Sequence, residues 1–174
     1  MAEINFGRLQ MKTIYFAKVK PEAKIPSKRD EDAGYDIYAC FEEDFVKFEP
    51  FETKLIPSGI ACAVPKNHYM QIEERSSTGF KGLKKSAGVV DSGYRGEIFV
   101  CLYNANPIPL YISKLPYEEI EKLEKQFVYI SYQKAIAQGI VHKVNKFKVK
   151  QISHAQLKAI PSARKDGALG SSKK

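Results

Sequence analysis

The 174 residues, 44% hydrophobic and 28% charged, are enough for one well-buried core and few for two domains. No run approaches the ~18 consecutive apolar residues of a spanning helix, and the polar, acidic start MAEINFGRLQMKT lacks the apolar stretch of a secretory leader, so the expected location is the cytoplasm, away from any membrane. The net charge of +8 is local: residues 134–174 hold ten Lys/Arg against the single acid Asp166, leaving eighteen bases and nineteen acids in residues 1–133. Such a basic terminal quarter suits a nucleic-acid backbone, a smaller polyanion such as a triphosphate, or plain solvation. Cys40, Cys62 and Cys101 are odd in number and form no CxxC pair, which speaks against a disulfide framework or a zinc site and for three small hydrophobes.

Residues 1–10 precede a second methionine, Met11, and read as an extension to a single domain over 11–162. From Thr13 onward, TIYFAKVK, FVKFEPFETKLIPSGIACAVP, YMQIEER, GEIFVCLYNA, FVYIS, AIAQGIVHKV and KFKVKQI are short runs rich in β-branched and aromatic residues, punctuated by Pro, Gly, Asn and Asp. That pattern predicts an all-β sandwich or barrel. Helix is predicted twice. In LPYEEIEKLEKQF (115–127), Pro116 and early acids mark the start and Ile120, Leu123 and Phe127 share a face. SHAQLKAI (153–160) predicts one or two turns ended by Pro161. The last segment, 163–174, has the Gly, Ser and Lys of a flexible arm, which can be a frayed end or a wrap for phosphate.

Five stretches carry residue types with chemistry. DAGYDIYAC presents Asp36 between Tyr35 and Tyr38 at a strand start, as surface hairpins also do. ERSSTGFKG combines the fork of Arg75 with the Ser76 and Ser77 hydroxyls and two glycines, either a phosphate-binding stretch or a polar loop. In AGVVDSGYRGEI, Val89 and Val90 lead into Asp91, a Ser92–Gly93 turn, Tyr94 and a second strand near Glu97, predicting a β-hairpin. Asp91 there either bonds its own turn or orients a water for attack on an electrophile. AIAQGIV places the amide of Gln138 in an apolar run, where it requires hydrogen-bond partners. His68, His142 and His154 have no ligand-like spacing, and neither a G-x-S-x-G elbow nor a Walker loop is present.

In order and spacing, AGYDIYA, RSSTGFKG, GVVDSGYRGEI, AIAQGIV and the terminal RKDGALGSS resemble the five motifs of the trimeric deoxyuridine triphosphatase (dUTPase) family, from about Met11 to Ser172. The resemblance implies a distorted β-barrel of jelly-roll type with one or two short helices, assembled as a homotrimer with sites between subunits. It implies hydrolysis of dUTP to dUMP and pyrophosphate, with Mg²⁺ carried on the triphosphate. By the same resemblance Asp91 is the base for the attacking water and Tyr94 packs under the deoxyribose. Arg75, Ser76 and Ser77 meet phosphates, and Asp36 and Gln138 hold waters around the metal without ligating it directly. Backbone around Ser86, Gly88 and Val89 reads the uracil edge. From the terminal arm, Arg164, Gly170, Ser171 and Ser172 close on the phosphates, with Leu169 where the family has a phenylalanine. Phosphoryl transfer needs positioning, charge neutralisation and an oriented water more than covalent machinery, which suits this residue set.

The departures from the family pattern are specific. Arg75-Ser76-Ser77-Thr78-Gly79 replaces R-S-G-L-A, a double serine that related dCTP deaminases also carry, but the deaminases' further arginine and glutamate fall at Phe80 and Cys101. Gln133-Lys134-Ala135 replaces Gly-Asp-Arg, and Lys85 falls where some members place an asparagine on the uracil. Residues of about 105–131 form an insertion of a kind that some phage members carry, which either packs on the trimer surface as decoration or serves as a docking element for a protein partner. A dUTP-sensing regulator that docks through this insertion is the rival reading. A nucleic-acid-binding β-barrel ranks below both, for want of a clustered aromatic platform, so nucleic acid is not expected as a partner.

Overall fold

The computed structural model describes residues 13–162, which divide into a compact unit ending at Val144 and a second unit beginning at Asn145. The first is all-β with two short helices. Its strands are β1 (Tyr15–Lys18), β2 (Tyr35–Tyr38), β3 (Phe45–Phe48), β4 (Thr53–Pro57), β5 (Ile60–Ala63) and β6 (His68–Glu73). After helix α1 (Ser76–Phe80) come β7 (Leu83–Ala87), β8 (Val89–Asp91), β9 (Phe99–Asn104) and β10 (Leu110–Ser113). Helix α2 (Tyr117–Leu123), β11 (Val128–Ser131) and β12 (Ala135–Lys143) complete it. The strands form four small sheets, in the orders β1-β5, β11-β10-β3, β2-β12-β6-β8 and β4-β9-β7. Among the described residues no helix is long and apolar enough to cross a membrane.

Alternation sets the core. In β6, Met70 and Ile72 point in, and in β9 Val100 and Leu102 do the same, so one face of each strand is buried and the other is not. Phe48, Ile56, Ile60, Leu83 and Ile98 join them. Cys40 and Cys62 pack as small hydrophobes, and burial pushes both thiols above their ordinary titration range.

The stretch 105–131 is woven into this core. β10 pairs antiparallel with β3 on one side and parallel with β11 on the other, and all four of its residues are buried. A parallel pair needs a crossover, which α2 supplies, seated by the fully buried Ile120. The helix is shorter than the predicted 115–127. It ends at Leu123, which is exposed, and Phe127 stacks beyond it on Tyr117 at a centroid distance of 4.9 Å.

Three other expectations are corrected. Residues 87–98 do not form one hairpin: β8 takes the free edge of β6, whereas β9 is already bonded on both sides, by β4 and β7. Residues 76–80, read as a loop, form α1, held by amides of Thr78 and Gly79 donating to the Arg75 carbonyl at 3.1 and 2.8 Å. The predicted strand at 146–152 is absent, because a strand needs a neighbouring edge and the second unit supplies none among the described residues; Phe147 and Val149 stand exposed. The second unit holds the expected short helix, α3 (His154–Lys158), closed by a capping box between Ser153 and Gln156.

Candidate active site

β2 and β12 are adjacent antiparallel strands in which Asp36 lies directly opposite Gln138, and Gln138 in turn lies opposite Glu73 of β6. Arg75, two residues past Glu73, extends its fork to Asp36, with Nε 2.8 Å from Oδ1 and Nη2 donating to Oδ2 at 3.3 Å. The pair is about a third exposed, so it lines a surface rather than a sealed core. Two of the guanidinium's five N–H groups are thereby engaged and the rest remain for a ligand.

These residues border a cavity of about 730 Å³ together with Ser76 and Ser77 in the first turn of α1. Lys28 and Arg29, from the segment before β2, border it too. Those two cations were missed in the sequence; their signal was a basic pair a few residues upstream of the AGYD stretch, separated from it by Asp30, Glu31 and Asp32. Arg29 is held by Asp32, which it meets through two bonds of 2.9 Å.

Gln138 finds the partner its setting demands. Its Nε2 donates to the Glu74 carbonyl at 2.8 Å, and its Oε1 lies over Gly34, where a Cβ would come within 2.5 Å of it. Gly34 is therefore a close-approach position rather than a flexible one. Glu74 also accepts from the Lys85 amide at 3.0 Å, tying β12 to β7. Partial burial pushes its carboxyl up, but hydrogen bonds from the Lys85 and its own backbone and the charges of Lys85 and Lys84 outweigh this and hold it below the usual range.

Asp91 and Tyr94 lie elsewhere. Asp91 pairs with Tyr69, at the other end of β6 from Glu73, and four residues of strand amount to about 13 Å. Its backbone carbonyl accepts from the Tyr94 amide at 3.0 Å, and the exposed Tyr94 ring is fixed by its hydroxyl donating to the Glu97 carbonyl at 2.9 Å. The Asp91 carboxylate itself has no bond among the described residues, so the turn-capping alternative does not hold.

Between β7 and β8, Gly88 presses on β6: its carbonyl accepts from Ile72 at 2.7 Å and a Cβ there would meet the Ile72 carbonyl at 2.5 Å. Ser86 and Val89 on either side are exposed. The Lys85 stem lies against this turn, its Cδ 2.9 Å from where a Cβ on Gly88 would stand, and its ammonium pairs with Glu73 at 2.9 Å. The first, second and fourth motifs thus share one cavity, the third forms a separate patch, and Arg164, Leu169, Gly170, Ser171 and Ser172 lie outside the described residues.

A family model described as dUTPase matches residues 21–115, just over half of the chain. The chain belongs to the dUTPase family. A deoxyuridine 5'-triphosphate nucleotidohydrolase of Leptospira interrogans is 36% identical over 95 residues, covering 52% of this chain and 65% of that protein. The Pol polyprotein of caprine arthritis encephalitis virus is 41% identical over 99 residues, 57% of this chain and 8% of the polyprotein. The chain thus spans less than two thirds of these relatives. The dUTPase of Staphylococcus bacteriophage 80alpha with dUPNHPP shares the fold at a TM-score of 0.71 and 20% identity, over 94% of this chain and 99% of that one. The dUTPase match ends at residue 115, just before the N-cap of α2 at Pro116.

Proposed function

We propose that the chain hydrolyses dUTP to dUMP and pyrophosphate, as a homotrimer in the cytoplasm. The observation that carries this reading is the division of the four described family motifs into two exposed half-sites at opposite ends of β6. One half presents phosphate-binding groups, Arg75, Ser76 and Ser77, and the other a base, Asp91, beside a ring, Tyr94. A second copy brings the two halves together. The outer face of the β4-β9-β7 sheet offers a surface for that copy, since Leu55 and Phe99 are 63% and 49% exposed there.

In the assembled site Asp91 accepts a proton from the water that attacks the α-phosphorus in line, and the bond from that phosphorus to the bridging oxygen breaks, releasing pyrophosphate. Arg75 and the two serines hold the departing phosphates, with Arg164, Gly170, Ser171 and Ser172 of the terminal arm closing over them and Leu169 covering the base. Backbone of Ser86, Gly88 and Val89 reads the uracil edge, and Tyr94 fills the space a 2′-hydroxyl would need. Mg²⁺ carried on the triphosphate would neutralise phosphate charge, and Asp36 and Gln138 would hold its waters without ligating it directly.

The test is pyrophosphate release across a panel of deoxynucleoside and ribonucleoside triphosphates, with turnover of dUTP alone expected; release from all or from none would sink the reading. A second reading, a dUTP-dependent regulator, is favoured by one surface. Phe80 at the end of α1 is 96% exposed and borders a cavity with Tyr117, Phe127 and Tyr129 of the 105–131 stretch, so a protein docked there would touch the phosphate-binding helix. Capture of a partner only with a slowly hydrolysed dUTP analogue present would support it.

A further inference from the structure

A smaller cavity of about 210 Å³ is bordered by Arg75, Ser77, Lys81, Ser131 and Lys134. Arg75 and Ser77 border both cavities, so the two are continuous along the same pair of side chains. The small one is cationic. Three basic residues line it and no carboxylate does. Arg75 is balanced by Asp36, but Lys81 donates only to the neutral Tyr129 carbonyl, at 2.8 Å, and the exposed Lys134 ammonium has no partner among the described residues. Two uncompensated charges therefore face one concavity.

The far wall comes from the 105–131 stretch and the turn that follows it. β11 ends at Ser131, whose carbonyl accepts from the Lys134 amide at 2.9 Å and whose hydroxyl accepts from the Gln133 amide at 3.3 Å. This turn fixes where the Lys134 stem leaves the backbone. At this point the chain has Gln-Lys-Ala, so an ammonium stands where the family's Gly-Asp-Arg carries a carboxylate.

We infer that this cavity is an oxyanion subsite for the diphosphate group, with Lys134 as a binding residue and Lys81 and Ser77 beside it. Naming diphosphate as the ligand rests on the dUTP-hydrolysis reading. Two sources share that chemistry: the terminal phosphates of a bound nucleotide and the pyrophosphate that leaves. Phosphate oxygens meet ammonium and hydroxyl donors in charge-assisted bonds, which exceed neutral ones in strength.

The test is isothermal titration of the full chain with inorganic pyrophosphate, with dUMP and with a non-hydrolysed imido analogue of dUTP, for wild type, Lys134→Gln and Lys134→Arg. Lys134 is exposed, so both variants fold. Pyrophosphate affinity is expected to drop about five- to ten-fold in Lys134→Gln, to persist in Lys134→Arg, and to converge toward the variant at high salt as screening grows, with dUMP unaffected. If the analogue weakens in parallel, the subsite seats the nucleotide's own phosphates; if it does not, the subsite serves the leaving pyrophosphate. Equal pyrophosphate binding in wild type and Lys134→Gln, no pyrophosphate binding by wild type, or an equal loss for dUMP overturns the subsite. Lys134-dependent pyrophosphate binding in a chain that does not turn over dUTP sinks the hydrolysis reading instead.

Discussion

Two crippled variants of this chain are expected to restore each other when mixed. Asp91→Asn removes the proposed base and Arg75→Ala the proposed phosphate fork, and each alone is expected to lose at least about a hundred-fold in turnover. Within one chain the strand positions facing Asp91 and Gln138 are Tyr69 and Glu73, about 13 Å apart. A general base must lie within ~3 Å of its water, and on the proposed reading that gap is bridged by a second copy. In a cyclic trimer each site then takes Asp91 from one copy and Arg75 from the next. Random assembly from equal amounts gives the first copy an intact Asp91 half of the time and the second an intact Arg75 half of the time. About a quarter of the sites are therefore whole. The assay is pyrophosphate release after co-expression, with subunit exchange verified by native mass spectrometry, and recovery to about a quarter of the wild-type rate is expected. Verified mixed trimers no more active than either variant alone would place all the chemistry within one subunit and refute the division.

Asp91→Asn, measured by itself, is expected to retain affinity for the imido analogue while turnover falls about 10²- to 10⁴-fold; near wild-type turnover removes Asp91 as the base. Tyr94→Ala is expected to raise UTP hydrolysis relative to dUTP, because in the proposed site the ring held by the Glu97 carbonyl fills the space a 2′-hydroxyl would need; an unchanged ratio assigns sugar discrimination elsewhere. Gly34→Ala puts a methyl group 2.5 Å from Oε1 and 2.9 Å from Cβ of Gln138, and the latter atom cannot swing aside, so β2 and β12 must part. A loss of about 1–3 kcal/mol follows, read as a melting temperature lower by about 2–4 °C per kcal/mol, and an unaltered melting curve shows that the strands absorb the methyl group freely.

The all-β class was legible because β-branched and aromatic runs recur between turn residues, and β6, β9 and β12 lie where those runs do. The cavity members Asp36, Arg75, Ser76, Ser77 and Gln138 were legible through the order of the motifs. Pairing partners were not. Val89–Asp91 and Phe99–Asn104 look like the arms of one hairpin, and only the occupied edges of β9 send β8 to β6. Helix α1 was hidden because Ser, Ser, Thr and Gly are indifferent helix formers and the turn is held by the Arg75 carbonyl. KFKVKQI has strand propensity without an edge to meet it, and propensity alone does not make a sheet. The role of Glu74 as a link between β12 and β7 had no signal in a linear reading, since its partners lie 11 and 64 residues away.

Strand β6 behaves as a gauge. Gly88 is anchored at Ile72, Asp91 at Tyr69 and Gln138 at Glu73, so one stretch of six residues spaces the turn proposed to read the base, the carboxylate proposed as the catalytic base and the amide proposed for the phosphate side. Adding or removing one residue there turns every later side chain to the opposite face and displaces the graduations by about 3.3 Å. The connection through α2 is under no such rule, because only Ile120 is fully buried along the helix. Length changes are therefore expected to be tolerated around Leu123 to Gln126 and to be ruinous between His68 and Glu73, whatever residue is inserted.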